Sequence, residues 1–226
     1  MLSYRLVLPD PPTAGAPVLV LLHGRGADET DMLGLARFWP DTLVVAVRAP
    51  YPATAWGYGP GFAWYRYLGG TRPDPEHFSH SLAALDAFLT ALPTLLPVSP
   101  GPLFLGGFSQ GGTVSLGYAL AYPGRVHTVL NLSGFLAEHP AVQVTPETVA
   151  TTRFYWPHGT LDPAVPLAVA QEGRRRLREA GAHLLAPDYE MGHAIIPAEL
   201  NDIAGLLREA RRNRSEWDVT GGIRHL

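Results

Sequence analysis

Six short apolar runs, separated by stretches of helical period, limit this chain to a small set of folds. The runs span residues 18–22 ("VLVLL"), 42–47 ("TLVVAV"), 102–107, 126–133, 153–159 and 183–190. Runs of this kind suit strands buried on both faces of a parallel sheet. Between them, residues 29–39, 75–96, 111–122, 166–180 and 197–212 carry apolar residues at helical spacing, and Asp74 followed by Pro75 is a good N-cap and first-turn pair. Strand and helix in alternation predict right-handed crossovers, hence an α/β fold with a mostly parallel, doubly wound central sheet and helices on both faces. The alternating segment at residues 2–8 is expected to add an antiparallel edge strand. In such sheets ligands bind at the carboxyl ends of the strands, so the chemistry is to be sought in the loops there.

Length and charge remove several classes of function. A chain of 226 residues holds one sizeable core, so a single domain over 1–226 is expected, with the tail from 213 to 226 given no role. Lys and Arg number 17 against 20 Asp and Glu, leaving no basic excess for nucleic acid. The one basic cluster, residues 173–181 ("GRRRLREAG"), reads as the solvated face of a helix rather than an anion patch. Cysteine is absent, which rules out thiol nucleophiles, thiolate metal sites and disulfides. The N-terminal stretch lacks a basic n-region and is broken by Pro9, Pro11 and Pro12, and no apolar run approaches the roughly 20 residues of a membrane span. A cytoplasmic protein without stable membrane insertion is expected; a homodimer is left open.

The segment "GGFSQGG" follows one of the apolar runs and opens one of the helical stretches. Gly107-Phe108-Ser109-Gln110-Gly111 is G-x-S-x-G. Between a strand and a helix this pattern is a nucleophile elbow, a sharp turn that lifts the serine hydroxyl to the top of the sheet. Ser109 is therefore the expected nucleophile. A serine needs a base, and the base needs an acid to orient it. Among the histidines downstream, His193 in "EMGHAII" stands after the last strand and before the last helix, where a base on the rim belongs. For the acid, "HGTLDPAVP" offers Asp162 in a turn after a strand, with Asp188 and Glu190 as competitors; His158 is expected to hold that turn. The loop "HGRGADE" after the first central strand can turn a backbone N–H toward the reacting carbonyl, so the amides of Arg25 and Gln110 are the expected oxyanion donors. That loop lacks the lysine and spacing of nucleotide-binding glycine loops.

Taken together, "LLHGRGADETDM", "GFSQGG", "HGTLDPAVP" and "MGH" resemble the phospholipase/carboxylesterase group of α/β-hydrolases, over about residues 18–212. The resemblance implies the α/β-hydrolase fold, a Ser109–Asp162–His193 triad, oxyanion amides at Arg25 and Gln110, and hydrolysis of small-molecule acyl esters or thioesters with no metal or organic cofactor. Carboxylesterase activity on small or medium acyl groups is the leading expectation. A thioesterase or lysophospholipase using the same machinery is the alternative, and a non-catalytic receptor or scaffold on the same fold is a third. Two departures from the group stand out: Arg25 replaces an apolar residue, and Trp64-Tyr65-Arg66 lacks the acidic residue relatives often carry. The aromatic segment 51–70 is expected to line or cover an acyl pocket, with Trp64, Tyr65 and Phe108 as substrate contacts.

Overall fold

The computed structural model describes residues 1–213; the tail residues 214–226, including His225, lie outside the described residues. In chain order the strands are β1 (Tyr4–Val7), β2 (Val18–Leu22), β3 (Leu43–Val47), β4 (Tyr51–Pro52), β5 (Phe62–Ala63), β6 (Leu103–Phe108), β7 (Thr128–Leu132), β8 (Arg153–Tyr155), β9 (His158–Gly159), β10 (His183–Leu185) and β11 (Asp188–Tyr189). The helices are α1 (Glu29–Leu33), α2 (Pro75–Leu95), α3 (Gln110–Ala121), α4 (Pro146–Val149), α5 (Leu167–Glu179) and α6 (Pro197–Arg212). Seven strands form the central sheet in the order β1-β3-β2-β6-β7-β8-β10. Every neighbour pair in it is parallel except β1 with β3, so the segment near the N-terminus is the antiparallel edge its alternation predicts.

The central strands read as continuous apolar runs because both faces are covered. Along β2, Val18, Val20 and Leu22 join a core with Phe78 and Leu85 of α2, Tyr118 of α3 and Leu177 of α5. Leu19 and Leu21 pack on the opposite face with Met32 of α1 and Ile203 and Leu207 of α6. Full burial of one such side chain is worth about 1.5–3 kcal/mol. With all five residues of β2 and all five of β3 buried, the middle of the sheet is a firm base for the loops at its carboxyl edge.

Four details differ from the sequence expectation. Residues 153–159 and 183–190 are not two strands but four, because Pro157 and Pro187 have no N–H to donate to a ladder. Beyond those prolines β9 and β11 pair parallel with each other, His158 opposite Asp188, and leave the main sheet. The stretch 29–39 is α1 followed by a 3₁₀ turn over Gly34–Phe38. A short helix, α4, appears where none is expected, capped by the Thr145 side chain on the Thr148 N–H. The basic cluster is also not wholly solvated. Arg174 is 2% exposed, since it stands between Ala170 and Leu177 on the buried stripe of α5.

Candidate active site

Ser109 occupies the turn between β6 and α3 at φ 55° and ψ −112°, a left-handed region that a non-glycine residue enters only at a cost of about 1–3 kcal/mol. The strain is held from both sides: Ser109 N–H donates to Leu132 O at 2.8 Å, and Thr113 N–H donates to Ser109 O at 3.0 Å. The adjacent glycines answer to packing beneath the serine. A Cβ on Gly107 would lie 2.5 Å from Gly111 C, and one on Gly111 would lie 2.2 Å from Leu22 O, so α3 can meet β2 and β6 only without side chains there.

The loop after β2 runs alongside this turn. A Cβ on Gly24 would stand 3.8 Å from Ser109 Cβ. The loop is anchored by His23, which is fully buried: Ala49 N–H donates to its Nε2 at 3.0 Å, so the proton sits on Nδ1 and is donated to Gly24 O at 2.7 Å. Burial, the largest influence, lowers the pKa of His23 and keeps this ring neutral. Gly26, at φ 82°, donates its N–H to Phe62 O at 2.8 Å. No carbonyl among the described residues accepts the Arg25 N–H. The Arg25 side chain is exposed, its guanidinium 4.7 Å over the Tyr58 ring.

Asp162 and His193 meet across the β9 and β11 extensions. Asp162 Oδ1 accepts the N–H groups of Ala164 (2.8 Å) and Val165 (2.9 Å), and Oδ2 accepts from His193 Nδ1 at 2.7 Å. Burial raises the carboxyl's pKa, yet the Val165, His193 and Ala164 donors together outweigh it and hold Asp162 below the ordinary carboxylate value. With Nδ1 donating to a carboxylate, Nε2 of His193 is the ring nitrogen left without that proton. His158 is fully buried and donates from Nε2 to Val165 O at 2.8 Å, while Nε2 lies 3.5 Å from Asp162 Oδ2. It thus ties the ends of the turn as expected. The competing carboxylates are elsewhere: Asp188 bonds Arg174 at 2.5 Å, and Glu190 is exposed.

A cleft of about 590 Å³ opens over these groups, and its lining includes Ser109, His193, Arg25, Gln110, Phe108 and Tyr65. Phe108 also packs its ring 4.7 Å from that of His193. Trp64, expected as a substrate contact, is a correction: it is fully buried and not part of the lining. Its indole N–H donates to His23 O at 3.0 Å and its backbone N–H to Gln110 Oε1 at 2.7 Å, so it braces the loops underneath. The Gln110 side chain, which also donates to Tyr65 O at 2.8 Å, is a tether that sequence reasoning missed, as are Asp31 and Met32 in the lining. Among the described residues no cluster of His, Asp or Glu is arranged to hold a metal, and no helix is long and apolar enough to cross a membrane.

Glu199, on the first turn of α6 just beyond His193, is also unforeseen. It is fully buried; Oε2 accepts Ile196 N–H at 2.8 Å, and Oε1 has no partner. Burial, only partly opposed by that N–H and reinforced by Asp202, pushes its pKa up to about 7. A carboxyl raised in the folded state stabilises the fold below its unfolded pKa and loses that contribution as pH rises through the folded value. Stability should therefore drop by about 2 kcal/mol between pH 5 and 8 from this group alone. Glu199→Gln keeps an acceptor for Ile196 and should flatten that dependence; thermal unfolding of both proteins at the two pH values would read it, and parallel curves would contradict it.

These features coincide with a known family. Residues 7–210 match the phospholipase/carboxylesterase family model, and the chain belongs to that family of α/β-hydrolases. It is 25% identical to acyl-protein thioesterase 1 of Cryptococcus neoformans var. neoformans over 88% of this chain and 94% of the relative. Among solved structures, esterase PE8 superposes with a TM-score of 0.76 at 28% identity, covering 92% of this chain and 99% of that one. The Bacillus cereus carboxylesterase shares the fold at a TM-score of 0.79 and 21% identity, over 93% and 95% of the two chains. The family supports ester hydrolysis as the class of reaction.

Proposed function

We propose that the protein hydrolyses carboxylic esters through a covalent acyl-enzyme on Ser109, with His193 as base and Asp162 as its orienting acid. The observation that carries this reading is the 2.7 Å contact from Asp162 Oδ2 to His193 Nδ1 in a ring that lines the same cleft as the strained Ser109. His193 Nε2 takes the hydroxyl proton as Oγ attacks the ester carbonyl, and the amides of Arg25 and Gln110 receive the oxyanion. Collapse of the tetrahedral adduct passes the proton to the leaving alcohol. Water, deprotonated by the same imidazole, then attacks the acyl-enzyme, releases the acid and restores Ser109.

The acyl group would lie against the apolar part of the cleft, where Tyr65, Phe135, Val165 and Val169 contribute. A volume of about 590 Å³ accommodates small and medium acyl esters. Thioester hydrolysis is the second reading, favoured by the likeness to acyl-protein thioesterase 1. A series of p-nitrophenyl esters of increasing acyl length, run beside an acyl thioester, tests the pair; no turnover of either class contradicts both.

Arg25 separates backbone chemistry from side-chain selection. Its amide is proposed as an oxyanion donor, which any residue but proline can supply, while its guanidinium rests on Tyr58 at the cleft. Arg25→Leu should keep kcat on a short neutral ester within about tenfold and raise kcat/KM for longer chains, since each buried CH₂ gains about 0.8 kcal/mol. Arg25→Pro deletes the donor and should cost at least about 10²-fold on every substrate. Equal inactivity of both variants would move the catalytic part to the side chain; wild-type rates in both would place the donor elsewhere in the loop.

A further inference from the structure

Arg174 is the one arginine of the basic cluster that is buried, and it lands where two strands leave the sheet. Trp156 N–H donates to Leu185 O at 2.9 Å, the last ladder bond before the break. In a parallel ladder the answering donor to Trp156 O would be the N–H of residue 187, which is a proline. Arg174 supplies the missing donor: Nη2 reaches Trp156 O at 2.7 Å and Pro187 O at 3.4 Å, and Nη1 reaches Asp188 Oδ1 at 2.5 Å. One buried guanidinium therefore joins the chain that enters β9 to the chain that enters β11.

Those two chains stay together as far as the site. His158 N–H donates to Pro187 O (3.2 Å), Thr160 N–H to Tyr189 O (2.8 Å) and Leu161 N–H to Met191 O (3.0 Å). A Cβ on Gly159 would lie 2.4 Å from Met191 O, so the approach tolerates no side chain there. Asp162 follows at the end of one chain and His193 at the end of the other. We propose that Arg174 is a positioning residue that sets the Asp162–His193 hydrogen bond from a distance, by fixing the register of β9 against β11 at the break from the sheet. This assignment rests on the reading of Asp162 and His193 as acid and base. Arg174 touches neither substrate nor reacting atoms. Its planar fork of donors matches two carbonyls and a carboxylate together, which the point charge of lysine cannot reproduce in full.

The test compares Arg174→Met, Arg174→Lys and Asp162→Asn. Displacement of a reacting group by about 1 Å can cost 10²-fold, so Arg174→Met should lower kcat about that much with little change in KM. Two further readouts separate positioning from mere structural support. The downfield proton resonance of the His193 Nδ1–H, which reports its bond to Asp162, should shift or broaden in the folded Met variant. The pH profile of kcat/KM should also differ from that of the wild type, because the carboxylate that orients the imidazole is less well placed. Arg174→Lys should recover part of the rate and resonance, and it carries the test if the Met variant does not fold. A folded variant with the wild-type resonance and pH profile overturns the proposal, whatever its rate. If Asp162→Asn itself leaves kcat intact, the acid assignment fails instead of the clamp alone.

Discussion

Replacing Ser109 with alanine should reduce ester hydrolysis by about 10⁶-fold in kcat while leaving the protein folded, the scale seen when the nucleophile of a serine hydrolase is removed. Alanine carries a Cβ like serine and meets the same cost at φ 55°, so the turn loses no more than its hydroxyl. The supporting bonds from Ser109 N–H to Leu132 O and from Thr113 N–H to Ser109 O are backbone bonds and survive the change. A circular dichroism spectrum matching the wild type, beside a rate near background, is the expected pair of results. Retention of even a few per cent of the activity in protein free of wild type would remove Ser109 from the mechanism.

Asp162→Asn should cost about 10⁴-fold in kcat, the value known for the same change in a serine protease triad. Asparagine keeps an Oδ1 that can accept the N–H groups of Ala164 and Val165, so the turn remains. What changes is the other arm: an amide NH₂ facing His193 Nδ1 donates instead of accepting, which puts the imidazole proton on Nε2, the nitrogen that must take the Ser109 proton. Steady-state kinetics on one short ester reads the effect. A loss of less than about tenfold would show that the carboxylate does not orient the base.

How much of this was legible in the sequence depended on how local the cause is. The buried runs of β2 and β3, and the edge strand β1, are written in residues that touch their immediate neighbours in the chain, and they appear where the pattern puts them. The turn at Ser109 is equally local. The breaks at Pro157 and Pro187 were readable too, from the missing N–H and from the polar His158 and Asp188 that follow the apolar runs. Contacts between distant segments were not readable. Gln110 reaches Tyr65 O and Trp64 N–H, and Arg174 reaches Trp156 O; their partners are backbone groups, which no sequence pattern marks. Trp64 was misplaced for a related reason, since an aromatic residue near a site looks the same in sequence whether it lines the cleft or supports its floor. Arg174 did leave a signal: it lies four residues after Ala170 and three before Leu177, on the face those residues bury.

The central claim, that Ser109 is the covalent nucleophile, is tested most directly by incubating the protein with a fluorophosphonate and mapping the adduct by peptide mass spectrometry. The expected result is rapid stoichiometric labelling on the peptide containing Ser109, with slower labelling in Asp162→Asn and none in Ser109→Ala. An unlabelled wild-type protein, or an adduct that persists in Ser109→Ala, would contradict it.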